Sequence, residues 1–72
     1  MRLPRVTAKE VERVLVRRGF SYSHAKGSHR SYVKADKRVI VPFHPGRIIP
    51  PGTLKNILKQ AGISVEEFKG YL

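Results

Sequence analysis

The stretch from Phe20 to Phe43 constrains this chain more than any other. Three strand-like runs follow one another there, separated by joints of about three residues. Parallel neighbours need a crossover of about a dozen residues or more, so joints this short admit only antiparallel hairpins. In the first run Phe20, Tyr22 and His24 alternate with Ser21 and Ser23, the period-two pattern of a strand. Ala25-Lys26-Gly27 reads as a turn. Ser28 to Lys34 is the second run, in which Ser31, Tyr32 and Val33 favour extended backbone. Ala35-Asp36-Lys37 is a short loop and Arg38 to Phe43 the third strand. Alternation places His29, Ser31 and Val33 on one face and Arg30, Tyr32 and Lys34 on the other. The pattern leaves open which face meets the helices, and a bulge near Gly27 would reverse the phase.

The flanking segments read as helices. Thr7-Ala8-Lys9-Glu10 is a capping box with Val6 and Val11 as its staple, so a helix is expected from Ala8 to Arg18. Ala8, Val11, Val14 and Leu15 give its inner face, and Gly19 is the expected left-handed stop, with Phe20 folding back on the last turn. Lys9, Arg13 and Arg17 form a basic stripe, read as a solvated face. Pro42, Pro45, Gly46, Pro50 and Pro51 make an irregular loop. A second helix is expected over residues 52–61, with Leu54, Ile57, Leu58 and Ala61 inward and Gly62 as its stop. Ser64-Val65-Glu66-Glu67 reads as a second capping box, stapled by Ile63 and Phe68, opening a short helix that ends near Leu72. The expected order is α-β-β-β-α plus a terminal helix. The fold class is α+β: a three-stranded antiparallel sheet with helices on one face.

Size and charge then narrow the partners. At 72 residues the chain is read as one domain over 1–72, small enough that its stability is marginal. It has no cysteine, hence no disulfide and no thiolate metal site. The start, Met1-Arg2-Leu3-Pro4-Arg5, leads into no apolar signal core. The longest apolar run, Val39 to Phe43, falls far short of the roughly 20 residues a membrane span needs. A cytoplasmic protein with no membrane partner is expected. Fifteen Lys and Arg against five Asp and Glu give a formal charge of +10. A field of that sign recruits polyanions, nucleic acid first. An anionic membrane surface fits less well, because the charges run along the whole chain rather than along one helix or tail.

One stretch carries the chemistry. In Lys26-Gly27-Ser28-His29-Arg30-Ser31-Tyr32 a histidine follows a glycine turn, with a cation on either side. Imidazole takes and gives protons near neutral pH, and Lys26 and Arg30 would hold a phosphodiester. RNA brings its own nucleophile, the 2′-hydroxyl. A base near neutral pKa frees it to attack the adjacent phosphorus. Lys26, Arg30 and the amides of Gly27 and Ser28 are the candidates for neutralising the charge that develops. Against this stands the plain alternative, a strand histidine on a basic surface. His44 is either a second acid or phosphate ligand, or a loop histidine with a local hydrogen bond. His24 reads as strand surface. No paired-histidine helix motif and no carboxylate near His24 or His29 marks a metal site, so no metal and no cofactor are expected.

Gly27-Ser28-His29, then Val41-Pro42-Phe43-His44-Pro45-Gly46, then Gly52-Thr53-Leu54 leading into Ile57-Leu58-Lys59-Gln60-Ala61-Gly62, resemble the HicA/YcfA-like family in order and spacing. The resemblance runs from Val11 to Phe68 and shows no departure at these motifs. It implies a double-stranded-RNA-binding-domain-like fold and a catalytic histidine at His29. It implies a toxin of a type II toxin–antitoxin pair that cleaves mRNA without metal and is blocked by a HicB-type antitoxin. Nothing in the 72 residues reads as an internal inhibitory segment, so inhibition is expected from a partner in trans. A non-catalytic RNA-binding module of the same fold is the main rival reading. A DNA-binding or ribosome-associated basic protein is another, and predicts no preference for a 2′-hydroxyl.

Overall fold

The computed structural model describes residues 3–72. Met1 and Arg2, part of the start read above as leading into no signal core, lie outside the described residues. The elements are α1 (Ala8–Arg17), β1 (Ser21–Lys26), β2 (His29–Lys34), β3 (Lys37–Pro42), α2 (Pro51–Ala61) and α3 (Val65–Gly70). The strands form one antiparallel sheet in the order β1-β2-β3. This is the α+β arrangement that the short joints and the period change lead one to expect, and the double-stranded-RNA-binding-domain-like one that the family resemblance implies.

The helix boundaries follow from local chemistry. At the start of α1 the Glu10 amide donates to the Thr7 hydroxyl at 3.3 Å, and the Thr7 amide donates to the Glu10 carboxylate at 2.9 Å. At its end Gly19 takes φ +92°, and the Phe20 amide returns to the Leu15 carbonyl at 2.9 Å. That bond satisfies a carbonyl the helix leaves open. α2 starts one residue before the expected range of 52–61, with Pro51 at the first helical position that its fixed φ and missing amide suit, and stops at left-handed Gly62. The second capping box forms by half. Ser64 accepts from the Glu67 amide at 3.1 Å, but the Glu67 carboxylate pairs with Arg18 rather than returning to Ser64. The ion pair ties α3 to the end of α1, and α3 stops at Gly70, short of the expected Leu72.

The turns shift by one or two residues from their expected places. Lys26 pairs with His29, so the first hairpin turns on Gly27-Ser28 rather than on residues 25–27. Lys34 pairs with Lys37, so the second turns on Ala35-Asp36 alone. Both two-residue loops carry a positive φ, at Gly27 (+61°) and at Ala35 (+53°), as tight hairpins between twisted strands require. β1 begins at Ser21, because Phe20 is used by the helix stop.

Which face meets the helices is now fixed. Tyr32 pairs with Val39 and Arg30 with Val41. Tyr32, Val39 and Val41 are fully buried against Val11, Val14 and Leu15 of α1, Leu54, Ile57 and Leu58 of α2, and Phe68 of α3. All helices therefore lie on that face, and the face bearing His29, Ser31 and Val33 is open. The loop between β3 and α2 is irregular but pinned. The Ile49 amide donates to the Val6 carbonyl at 2.8 Å, and both side chains are buried.

Candidate functional site on the open sheet face

Cross-strand register builds the open face. His29 has Lys26 on one side and Pro42 on the other. Ser31 has His24 and Ile40, and Val33 has Ser21 and Arg38. Side chains of paired residues share a face, so His24, Lys26, His29 and Arg38 emerge together. The sequence pattern set His24 in phase with Tyr22. A bulge lies between Tyr22 and His24, leaving Ser23 without a partner in β2. One extra residue rotates everything after it by half a period. Tyr22 stays on the helix side, edge-on to Tyr32 with ring centroids 5.9 Å apart, while His24 and Lys26 turn to the open side.

His29 is exposed at the first position of β2, directly after the Gly27-Ser28 turn. Gly27 has no atom within 4 Å of where a side chain would begin. Its constraint is the positive φ alone. Ser28 keeps its carbonyl engaged with the Phe43 amide at 2.6 Å, which extends the β2–β3 pairing past Pro42 and holds the start of β2 in place. Arg38 donates to the Ser31 hydroxyl at 3.0 Å. Its guanidinium is thereby drawn back from its own position toward the His24–Ser31 row, and Ser31 is only 3% exposed.

Arg30 goes elsewhere. Its guanidinium stacks over the Phe43 ring at 3.8 Å and pairs with Glu12 of α1 at 3.3 Å. Tyr32 donates to the same carboxylate. Burial, and then the Glu12 carboxylate, push the Tyr32 hydroxyl above its ordinary range. Of the cations flanking His29 in sequence, the structure brings Lys26 to it and turns Arg30 to the opposite face. His44 stands beyond β3, where it lines a pocket of about 200 Å³ with Pro42, Arg47, Ile48, Ile49 and Pro50. Arg38 was not singled out in the sequence, and His24 was read there only as strand surface. The parity of a two-residue hairpin would have found Arg38, whereas a bulge in β1 leaves no such signal for His24.

The electrostatics of the face follow from where the five carboxylates went. Glu10 caps α1, Glu12 holds Arg30 and Tyr32, and Glu67 holds Arg18. Asp36 is in the second hairpin turn and Glu66 in α3. None occupies an open-face strand position. Among the described residues no three His, Cys, Asp or Glu side chains converge as a metal-ligand group. No described helix is long and apolar enough to cross a membrane. The face thus offers imidazoles and cations to a phosphate, with no anion to repel it.

Comparison with curated proteins gave no significant match. A family model described as the HicA toxin of bacterial toxin–antitoxin systems matches residues 8–63, from the first residue of α1 past the end of α2. It takes in the whole sheet, both hairpins and the open face, and leaves out α3. The chain belongs to the HicA toxin family.

Proposed function

We propose that the protein is the toxin of a type II toxin–antitoxin pair, acting in the cytoplasm as an endoribonuclease on mRNA. The observation that carries this reading is the exposed His29 imidazole on a sheet face that holds Lys26 and Arg38 and no carboxylate. A phosphodiester laid on that face meets cations and a proton-transfer group together. His29 exchanges a proton with the reacting ribose or leaving oxygen. The 2′-oxygen attacks phosphorus, the bond to the 5′-oxygen breaks, and the products are a 2′,3′-cyclic phosphate and a free 5′-hydroxyl. Lys26 and the amides of Gly27 and Ser28 neutralise charge on the phosphoryl oxygens. Arg30, on the opposite sheet face, and His44, two residues past the Pro42 that pairs with His29, contact flanking stretches of the RNA. The substrate supplies the nucleophile, so the reaction needs no metal.

The partner is a HicB-type antitoxin. An acidic surface is steered rapidly onto a basic one, and covering the Gly27 hairpin would bury His29 and close the phosphate path together.

Cleavage of mRNA by purified protein, with and without EDTA, tests the reading. Wild type is expected to cut in EDTA and to leave a substrate with a 2′-deoxy scissile nucleotide intact. His29→Ala is expected to bind RNA, fold normally and lose about 100- to 10,000-fold in rate. A folded His29→Ala that cuts at the wild-type rate refutes the assignment. RNA that is bound but never cut favours the non-catalytic module. Co-expression with a HicB-type partner is expected to abolish cleavage.

A further inference from the structure

The bulge at Ser23 does more than interrupt pairing. It moves His24 onto the face of His29, and it does so one diagonal away. Lys26 is directly opposite His29, and His24 is opposite Ser31, two residues further along β2. Diagonal positions of an antiparallel pair are about 7–8 Å apart. Two imidazoles at that spacing rise from one surface with room for a phosphate between them. An in-line displacement at phosphorus has the attacking and leaving oxygens on opposite sides. One proton-transfer group cannot reach both sides at once, but two groups flanking the phosphorus can.

We propose that His24 is the general acid of the reaction in which His29 is the general base. The proposal rests on the ribonuclease reading above. His29 takes the 2′-hydroxyl proton as the oxygen–phosphorus bond forms, and His24 gives its proton to the 5′-oxygen as that bond breaks. Protons and electrons balance with no further reactant, and water later resets the two imidazoles.

The surroundings of His24 fit the role. Its Nδ1 lies 3.1 Å from the Ser23 hydroxyl, supplied by the bulged residue itself. With Ser23 accepting from Nδ1–H of the imidazolium, Nε2–H is left to serve the leaving oxygen. The charged and titratable groups that share its face are Lys26 on its own strand, His29 on β2 and Arg38 on β3, whose guanidinium sits on the Ser31 hydroxyl opposite His24. These cations place a phosphate between the two imidazoles. Among the described residues no helix packs against this face. His44 is the other candidate acid. It lies past the end of β3, and it lines the Pro42–Pro50 pocket.

The test uses an RNA cut site mapped with the wild-type protein. An oligonucleotide spanning it is made twice, with ordinary oxygen and with sulfur at the 5′-leaving position. A thiolate leaves without being protonated, so this second substrate needs no acid. His24→Ala is expected to lose about 100-fold or more on the oxygen substrate and to cut the sulfur substrate at close to the wild-type rate. His24→Asn keeps a hydrogen-bonding side chain beside Ser23 but has no titrating proton, and is expected to behave as His24→Ala. His29→Ala is expected to fail on both substrates. The wild-type pH–rate profile is expected to be bell-shaped, and His24→Ala to lose its alkaline fall. Circular dichroism and RNA binding establish that each variant is folded. Wild-type activity of His24→Ala on the oxygen substrate overturns the proposal while leaving the ribonuclease reading intact. Equal loss on both substrates, activity retained by His24→Asn, or sulfur rescue of His44→Ala instead, also overturns it. A wild-type protein that cuts neither substrate removes the ribonuclease reading and this proposal together.

Discussion

Tyr32 shows how much one residue does here. It is the largest fully buried side chain in the sheet, yet its hydroxyl ends on Glu12, which also anchors Arg30 over Phe43. Removing the hydroxyl takes from Glu12 a buried donor, and Tyr32→Phe is expected to cost about 1–3 kcal/mol at neutral pH, read from urea denaturation. The pH dependence has a definite sign. The folded pKa lies above the unfolded one. The stabilisation is therefore complete below the unfolded phenol value of about 10 and is lost as pH rises through the alkaline range toward the folded value. Wild-type stability should fall above about pH 10, and Tyr32→Phe should fall less steeply. Equal slopes for the two proteins would show that Tyr32 keeps no proton on folding. Gly27 is a contrasting case, since only its positive φ restricts it. Gly27→Ala is expected to cost about 1 kcal/mol with RNA cleavage retained.

At the scale of elements, the caps were legible and the faces were not. Thr7 with Glu10, and Gly19 with Phe20, act within a few residues of one another, so sequence spacing is enough to foresee them. Glu67 was misread because its partner, Arg18, lies 49 residues away. The identity of the inward face depended on pairing Tyr32 with Val39, which a two-residue turn decides and a three-residue one would not. His29 could be singled out from its local motif. Its companions His24 and Arg38 could not, since one depends on a bulge and the other on register. The second hairpin also has a cost that sequence hides. Ala35 sits at φ +53°, where a Cβ is disfavoured by about 1–2 kcal/mol. Ala35→Gly is expected to raise stability by about 0.5–1 kcal/mol, seen as a higher denaturation midpoint with unchanged cleavage.

For the whole molecule, both sides carry cations but the carboxylates are divided unevenly between them. The net +10 is a property of the chain; the sheet face holds Lys26 and Arg38 with no carboxylate at its strand positions, whereas the helix side carries cations such as the exposed Lys55 of α2 together with Glu10, Glu12, Glu66 and Glu67. Each phosphate contact adds about 0.7–0.9 to the slope of log affinity against log salt. Lys26→Gln and Arg38→Gln are each expected to lower that slope by about one contact's worth, and Lys55→Gln to leave it unchanged. Salt titrations of RNA binding measure this directly. A slope that responds equally to all three would place the RNA across the whole surface rather than on the sheet.

The Ile40 amide, which donates to the Gln60 side chain of α2 at 3.2 Å, decides how this sheet can grow. Donors on the outer side of β3 recur at every second residue. Of the three there, Ile40 is taken and Pro42 has none to give, leaving Arg38 alone. A further strand therefore finds little to zip onto at β3. All six residues of β1 are exposed, and although the Ser23 bulge interrupts its outer side, no such cover lies on it among the described residues. A building block with one sticky side and one blunt side can pair, and pairing uses up its valence. Filaments need two sticky sides. Pairing at β1 therefore leaves only the blunt side of β3 behind it, and a chain of such pairings stops rather than growing into a fibre.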